Sequence, residues 1–239
     1  MNTPILRLGL RSLFGRARVW LLIALPLVLI GLSVLLRSVS TGMTDADAQS
    51  FLQVFGIGIV VPVVTLLATT TLINSEFDDG SIIYLLTKPI SRVAIIGSKA
   101  TIVLGAALIG GAVPMGIAAL VLVGSGGGLA LAALVAGVVA AAAYVGIFIA
   151  LATVMKRSIL GCLLYWLIWE STISSLISPV KWLSARSWGD SLVAAISSIV
   201  GAGKPPVPAL YAVLAALVAL VAGVLLVGRR LAAMTSSDE

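Results

Sequence analysis

Six long apolar stretches determine what this chain can fold into. They cover residues 19–36, 51–73, 95–123, 129–155, 158–177 and 207–227. A helix needs about 20 mostly apolar residues to cross the hydrocarbon core of a bilayer, and each stretch reaches roughly that length. The strict alternation of apolar and polar residues that a membrane β-barrel requires is missing. The sequence therefore predicts an all-α integral membrane protein, with six transmembrane helices in a single domain over residues 1–239.

The composition excludes other fold classes. Sixty per cent of the residues are hydrophobic and 10% are charged, whereas a soluble domain is about 45–50% apolar and about 25% charged. A soluble chain of this size could not bury so much apolar surface, and a disordered chain would not contain it. Histidine is absent and Cys162 is the single cysteine, which excludes an internal disulfide and a multi-cysteine metal site. Since the sequence holds no catalytic constellation, we expect no enzyme activity, metal or cofactor in this chain.

The basic residues are unevenly divided between the two sides of the predicted bundle. Eleven fall on the side that holds both termini: Arg7, Arg11, Arg16, Arg18, Lys88, Arg92, Lys99, Lys156, Arg157, Arg229 and Arg230. Four fall on the other side: Arg37, Lys181, Arg186 and Lys204. Lys and Arg collect in cytoplasmic loops, so we expect both termini in the cytoplasm. The net charge of +6 follows mostly from this division and gives no support for nucleic acid as a partner.

Residues 3–18 predict an amphipathic helix that lies on the membrane. At 100° per residue, Leu6 and Leu10 form an apolar stripe, while Arg7 and Arg11 fall on another face. A basic amphipathic helix of this kind lies in the interface plane in contact with membrane lipid. Two alternatives remain: the arginines merely anchor the first span, or a signal peptide is cut near Ser40, which would leave five spans with awkwardly placed charges.

The loop at residues 76–92 predicts a short cytoplasmic helix. Acidic residues and a serine stand before a short apolar run, and a lysine and a proline stand after it: Glu76, Asp78, Asp79, Ser81, Ile82, Ile83, Leu85, Leu86, Lys88 and Pro89. Acidic residues suit a helix N-terminus, and the proline ends the helix. Such a helix is too short to be stable alone and needs a docking surface. The residues leave open whether that surface belongs to a partner or to this chain's own bundle.

Glu170 is the one acidic residue within a predicted span. It lies twelve residues past Ser158, so at 1.5 Å per residue it is about 18 Å from the inner end. Its candidate partners are Lys181, Arg186 and Tyr211, and an ionisable group at this depth needs one. We favour a structural role, in which Glu170 holds short outer helices at residues 178–206 by hydrogen bonds; the alternative is proton relay.

The loop also resembles a known family. Its residues look like the cytoplasmic loop of type-2 ABC export permeases, in which an acidic residue, Gly-Ser, an apolar run, Pro-Ile-Ser-Arg and Gly-x-Lys precede the third span. The matching residues are Glu76, Gly80, Ser81, Leu85, Leu86, Pro89, Ile90, Ser91, Arg92, Gly97 and Lys99. The similarity extends more loosely to the whole chain: an N-terminal elbow helix, six spans, and short outer helices between the last two.

This resemblance implies a permease subunit of an ATP-binding cassette exporter in the bacterial inner membrane. Family members pair as two permeases, a homodimer or close homologues, with two ABC-type ATP-binding subunits that hold ATP and Mg. The loop then acts as a coupling helix in a groove of the ATPase, with the elbow helix (Leu6, Arg7, Leu10 and Arg11) beside it. Its coupling residues are Glu76, Asp79, Gly80, Ser81, Leu85, Leu86, Pro89 and Arg92. The alternative from another class is an ATP-independent secondary transporter that uses Glu170 as its coupling site.

Overall fold

In the part of the chain that the structure describes, six helices are long and apolar enough to cross a membrane, as the sequence predicts. The computed structural model describes residues 18–40, 42–78, 92–155, 157–199 and 204–235. Within these ranges every regular element is a helix. The six candidate spans, numbered 1 to 6 below, are Trp20–Val39, Asp45–Leu72, Ile96–Val123, Gly126–Val154, Ser158–Leu176 and Ala209–Arg230.

The helices that make up these spans include three π-helical segments, in which the turn is wider than in an α-helix. The α-helices are Arg18–Val39, Asp45–Phe51, Val61–Asp78, Arg92–Ala107, Val113–Val123, Leu129–Val154, Ser158–Leu164, Ser174–Leu176, Ala185–Ile196 and Ala209–Thr235. The π-helical segments are Leu52–Val60, Leu108–Ala112 and Tyr165–Ile173, and two short 3-10 helices cover Gly126–Gly128 and Ser178–Leu183. The helix Ala185–Ile196, called the inserted helix below, belongs to no span.

The ends of spans 2 and 4 have identifiable local causes. Span 2 begins six residues before the predicted stretch, because Thr44 and Asp47 form a capping box at its N-terminus. The Asp47 amide donates a hydrogen bond to Thr44 Oγ1 at 3.2 Å, and the Thr44 amide donates one to Asp47 Oδ2 at 3.0 Å. Spans 3 and 4 are joined at residues 124–128, where Gly124, Gly127 and Gly128 have φ values of 73°, 63° and 67°. Only glycine adopts these conformations without strain. We call this end of the bundle the glycine-turn end.

Span 4 is the centre of the bundle. Half of its residues are buried, many of them alanine, and they pack against spans 2, 3 and 6 and the inserted helix. A Cβ atom on Gly146 would collide with the Ala219 carbonyl of span 6, and one on Gly223 would collide with the backbone of Gly146. The two backbones therefore touch directly, a contact that small residues allow in membrane helices. Spans 1, 5 and 6 lie at the periphery, with large apolar side chains exposed.

Candidate functional site

The inserted helix reaches from the glycine-turn end into the interior of the bundle. Near its C-terminus, the Ile196 carbonyl lies beside Gly128. Nearer its N-terminus, Gly189 packs against Ile57 of span 2 and against Ala140, which is halfway along span 4. The N-terminal part of this helix therefore lies among the spans, near the middle of spans 2 and 4.

Glu170 lies directly against the first turn of the inserted helix. It belongs to the π-helical segment Tyr165–Ile173 of span 5, and only 1% of its surface is exposed. Its Oε1 accepts hydrogen bonds from Tyr165 Oη at 2.8 Å and from the Ala185 amide at 2.9 Å. Its Oε2 accepts hydrogen bonds from Ser184 Oγ at 2.6 Å and from the Arg186 amide at 3.2 Å. Four donors thus fill the two oxygens of one carboxylate.

This arrangement satisfies the N-terminus of the inserted helix. The first amides of any helix have no partner within it, and a buried amide without an acceptor is costly. Glu170 supplies acceptors for two of them, and Ser184, the N-cap residue, accepts from the Ser187 amide at 3.1 Å. A negative charge at this position also interacts favourably with the helix dipole. Glu170 therefore anchors the inserted helix to span 5.

The partners of Glu170 differ from those that the sequence suggests. Of the three candidates, Arg186 is bonded to Glu170, but through its backbone amide. Tyr211 of span 6 donates instead to the Trp182 carbonyl at 2.9 Å, and Lys181 is not among the hydrogen-bond partners of Glu170. Ser184 was not among the predicted partners, although a serine directly before a helical apolar pattern is an N-cap signal.

A second carboxyl group lies one turn further along the inserted helix. Asp190 Oδ2 is 3.8 Å from Arg186 Nε, and the side chains of these two residues are 19% and 26% exposed. Its Oδ1 is buried and has no hydrogen-bond partner among the described residues. Burial raises the pKa of Asp190 from 3.8 to about 7, and the charge of Glu170 adds to the rise, while Arg186 and Lys181 oppose it.

Span 2 is shaped to receive this part of the inserted helix. A Cβ atom on Gly58 would lie 3.3 Å from the Arg186 guanidinium carbon, so glycine leaves room for that group. Pro62 lacks the amide that would donate to the Gly58 carbonyl in a regular helix. The indole Nε1 of Trp166 in span 5 donates to this carbonyl at 2.8 Å. Spans 2 and 5 are thus joined beside the Arg186 side chain.

Most of the predicted coupling and elbow residues lie outside the described ranges. Glu76 is near the end of the helix Val61–Asp78, and Arg92 begins the helix Arg92–Ala107. The other coupling residues (Asp79, Gly80, Ser81, Leu85, Leu86 and Pro89) and the elbow residues (Leu6, Arg7, Leu10 and Arg11) fall in the parts of the chain that are not described. Their roles stay predictions.

Together, the six candidate spans and the helix inserted among them describe a multi-pass membrane protein. The sequence profile of the ABC-2 family transporter proteins matches residues 15–178, more than two thirds of the chain. The chain belongs to this family, and the predicted resemblance is confirmed: it is an ABC-2 transporter permease, typically a non-catalytic transport subunit. Permeases of this family generally pair with ATP-binding subunits. No curated protein matches the sequence significantly.

Proposed function

We propose that this chain is the membrane-spanning subunit of an ATP-driven exporter, and that a separate ABC-type subunit binds ATP and Mg and hydrolyses the ATP. The observation that supports this most strongly is the family match, because residues 15–178 include the loop at residues 76–92. The sequence contains no G-x-x-x-x-G-K-[ST] phosphate-binding motif, which agrees with an ATPase on another chain. We also propose that two copies, or two close homologues, form the translocation pathway.

The helices on either side of the loop at residues 76–92 would carry force from the ATPase into the bundle. The helix of span 2 continues to Asp78, and the helix of span 3 begins at Arg92. A movement of the loop would therefore act on two continuous helices. Spans 2 and 3 are tightly packed, because a Cβ atom on Gly110 would lie 3.0 Å from Val64 Cγ1. The two spans would move together, so closure of the ATPase subunits would be transmitted into the bundle.

The charge distribution supports one orientation for this subunit. The predicted topology puts both termini and the coupling loop on the side with eleven basic residues, which the positive-inside rule assigns to the cytoplasm. The glycine-turn end then faces outward in a bacterial inner membrane. In this orientation the inserted helix enters the bundle from the outer side and re-enters the membrane between spans 5 and 6.

The coupling-helix assignment is tested by replacing Leu85 and Leu86 with Asp. A helix-in-groove contact depends on such apolar anchors, so we expect the double variant to insert into the membrane but to lose co-purification with its ATP-binding subunit. The matched control, Thr87→Asp with Ser91→Asp, adds the same two charges to polar positions of the same loop, and Asp can replace Ser as a helix cap. Retained binding of the ATPase by the leucine variant would contradict the assignment.

The geometry gives no support for Glu170 as the coupling site of a secondary transporter. A coupling carboxylate must exchange a proton or an ion during each cycle. Both oxygens of Glu170 already accept two hydrogen bonds each, and two of the four donors are backbone amides fixed in a helix. Transport that persists without any ATPase and stops on Glu170→Gln substitution would favour the secondary transporter instead.

A further inference from the structure

The two carboxyl groups near the inserted helix have different surroundings. Glu170 is bonded by four donors. Asp190 has a buried Oδ1 without a partner in the described part of the chain, and its Oδ2 has only a long contact of 3.8 Å with Arg186 Nε. A buried carboxylate needs strong hydrogen bonds to stay charged at low cost. Asp190 lacks them, so its neutral form suits this environment better.

The charged and titratable groups around Asp190 come from each element that packs against it. Arg186 lies on its own helix, Glu170 on span 5 and Lys181 on the 3-10 helix that precedes the inserted helix. Tyr144 of span 4 is within electrostatic range, and its buried hydroxyl also lacks a partner among the described residues. The remaining neighbours are neutral or engaged elsewhere: Gln53 of span 2 donates to the Asp190 carbonyl, and Tyr211 of span 6 donates to the Trp182 carbonyl.

When Asp190 is charged, the two carboxylates of Asp190 and Glu170 share the positive charges of Arg186 and Lys181. When Asp190 is protonated, the charges of Glu170 and Arg186 balance each other. We propose that Asp190 is a proton-binding site that controls how firmly the inserted helix is held among the spans. This proposal does not depend on the proposed function, since the position of the helix can be measured without transport.

The direction of the pH effect follows from the surroundings of Asp190. The pKa of Asp190 is about 7 when the helix is in place, and 3.8 is the ordinary value for an aspartate in water. The form with the helix in place therefore binds a proton more tightly than the displaced form. Protonation of Asp190 stabilises the form with the helix in place most strongly below pH 4. This stabilisation is lost as the pH rises towards 7, and above pH 7 the stability of that form changes little.

Accessibility of a single cysteine measures this displacement. Ser187 on the inserted helix is only 6% exposed, and the one native cysteine, Cys162, is fully buried. We would place Ser187→Cys in a Cys162→Ala background, in full-length protein in lipid nanodiscs, and measure labelling by N-ethylmaleimide from pH 5.5 to 8.5. Thiol reactivity itself rises with pH, so each rate is divided by the rate of the same protein carrying Asp190→Asn. We expect this ratio to rise about 30-fold over the range and to level off above pH 7.

The matched control is Asp45→Asn, the same chemical change at an exposed carboxylate in the first turn of span 2. It should leave the pH dependence of labelling unchanged. A ratio that stays constant with pH would overturn the proposal. Faster labelling of the Asp190→Asn variant than of wild type at every pH would also overturn it, because Asp190 would then be needed as the anionic partner of Arg186.

A second measurement avoids the introduced cysteine. Hydrogen–deuterium exchange of the peptide that covers residues 185–196 is compared in unmodified wild type and in Asp190→Asn. Amide protection in the wild type should fall between pH 5.5 and 7 relative to the variant, after correction for the intrinsic pH dependence of exchange. Equal protection in the two proteins across this range would refute a proton-binding role for Asp190.

Discussion

Replacing Glu170 with glutamine removes half of the acceptor capacity at the N-terminus of the inserted helix. One oxygen of the carboxylate becomes an NH2 group, which is a donor. In either orientation of the amide, the NH2 group faces one hydroxyl and one backbone amide, because each oxygen of Glu170 accepts one donor of each kind. The hydroxyl can rotate away, but the backbone amide of Ala185 or Arg186 cannot.

The expected loss of stability combines two terms. A buried donor without an acceptor costs about 1–3 kcal/mol. The interaction of the negative charge with the helix dipole is worth roughly 0.3–2 kcal/mol, and the upper part of that range applies to a partly or fully buried group. The variant should therefore lose about 2–5 kcal/mol. For a chain of this length, about 2–4 °C of Tm corresponds to 1 kcal/mol, so we expect the Tm to fall by roughly 4–20 °C.

The assay is thermal unfolding of the purified protein in one detergent, followed by the fluorescence of its tryptophans. Tyr165→Phe is the matched control: it removes one of the four hydrogen bonds and leaves the charge and both amide contacts intact, so its cost should be about 0.5–1.5 kcal/mol. If Glu170→Gln unfolds at the same temperature as Tyr165→Phe, the carboxylate does not anchor the inserted helix and this reasoning is wrong.

Three further substitutions test the packing of the spans. Gly223→Val should prevent stable folding, because its Cβ atom would collide with the backbone of span 4. The control is Gly105→Val, at a position where nothing lies within 4 Å of the added Cβ atom. The control should elute from a size-exclusion column as a single peak like the wild type, whereas Gly223→Val should not. Trp166→Phe should lower stability by about 1 kcal/mol, since the Gly58 carbonyl loses its donor; an unchanged Tm would show that another group satisfies it. Gly58→Ala should displace the Arg186 side chain and raise the accessibility of the inserted helix to N-ethylmaleimide in the Ser187→Cys protein.

The spans were predictable because length and hydropathy alone define them. The inserted helix was harder to place, because its polar face, with Arg186 and Asp190, looks like that of a surface helix. Its tertiary contacts, such as those with Ile57 and Ala140, show that it lies among the spans. Hydropathy cannot distinguish a polar face in water from a polar face turned towards a buried carboxylate.

The partners of Glu170 show a second limit of sequence reasoning. A charged residue in a span directs attention to side chains of opposite charge, and Lys181 and Arg186 were the natural candidates. The actual partners include two backbone amides, which every residue but proline possesses and which therefore leave no mark in the sequence. Asp190 escaped notice for a related reason: its burial depends on how a neighbouring segment folds back, and no local pattern encodes that.

The backbone contact between spans 4 and 6 limits which parts of this transporter can move. Where Gly146 and Gly223 meet, no side chain lies between the two helices. A shift of one helix along the other by one residue, about 1.5 Å, would bring larger side chains against a backbone that has no room for them. Spans 4 and 6 should therefore keep their register throughout the transport cycle and rotate as one body. The conformational change would then fall to helices outside this body, and the inserted helix, which packs against spans 4 and 6 and is bonded to span 5, would lie at its boundary.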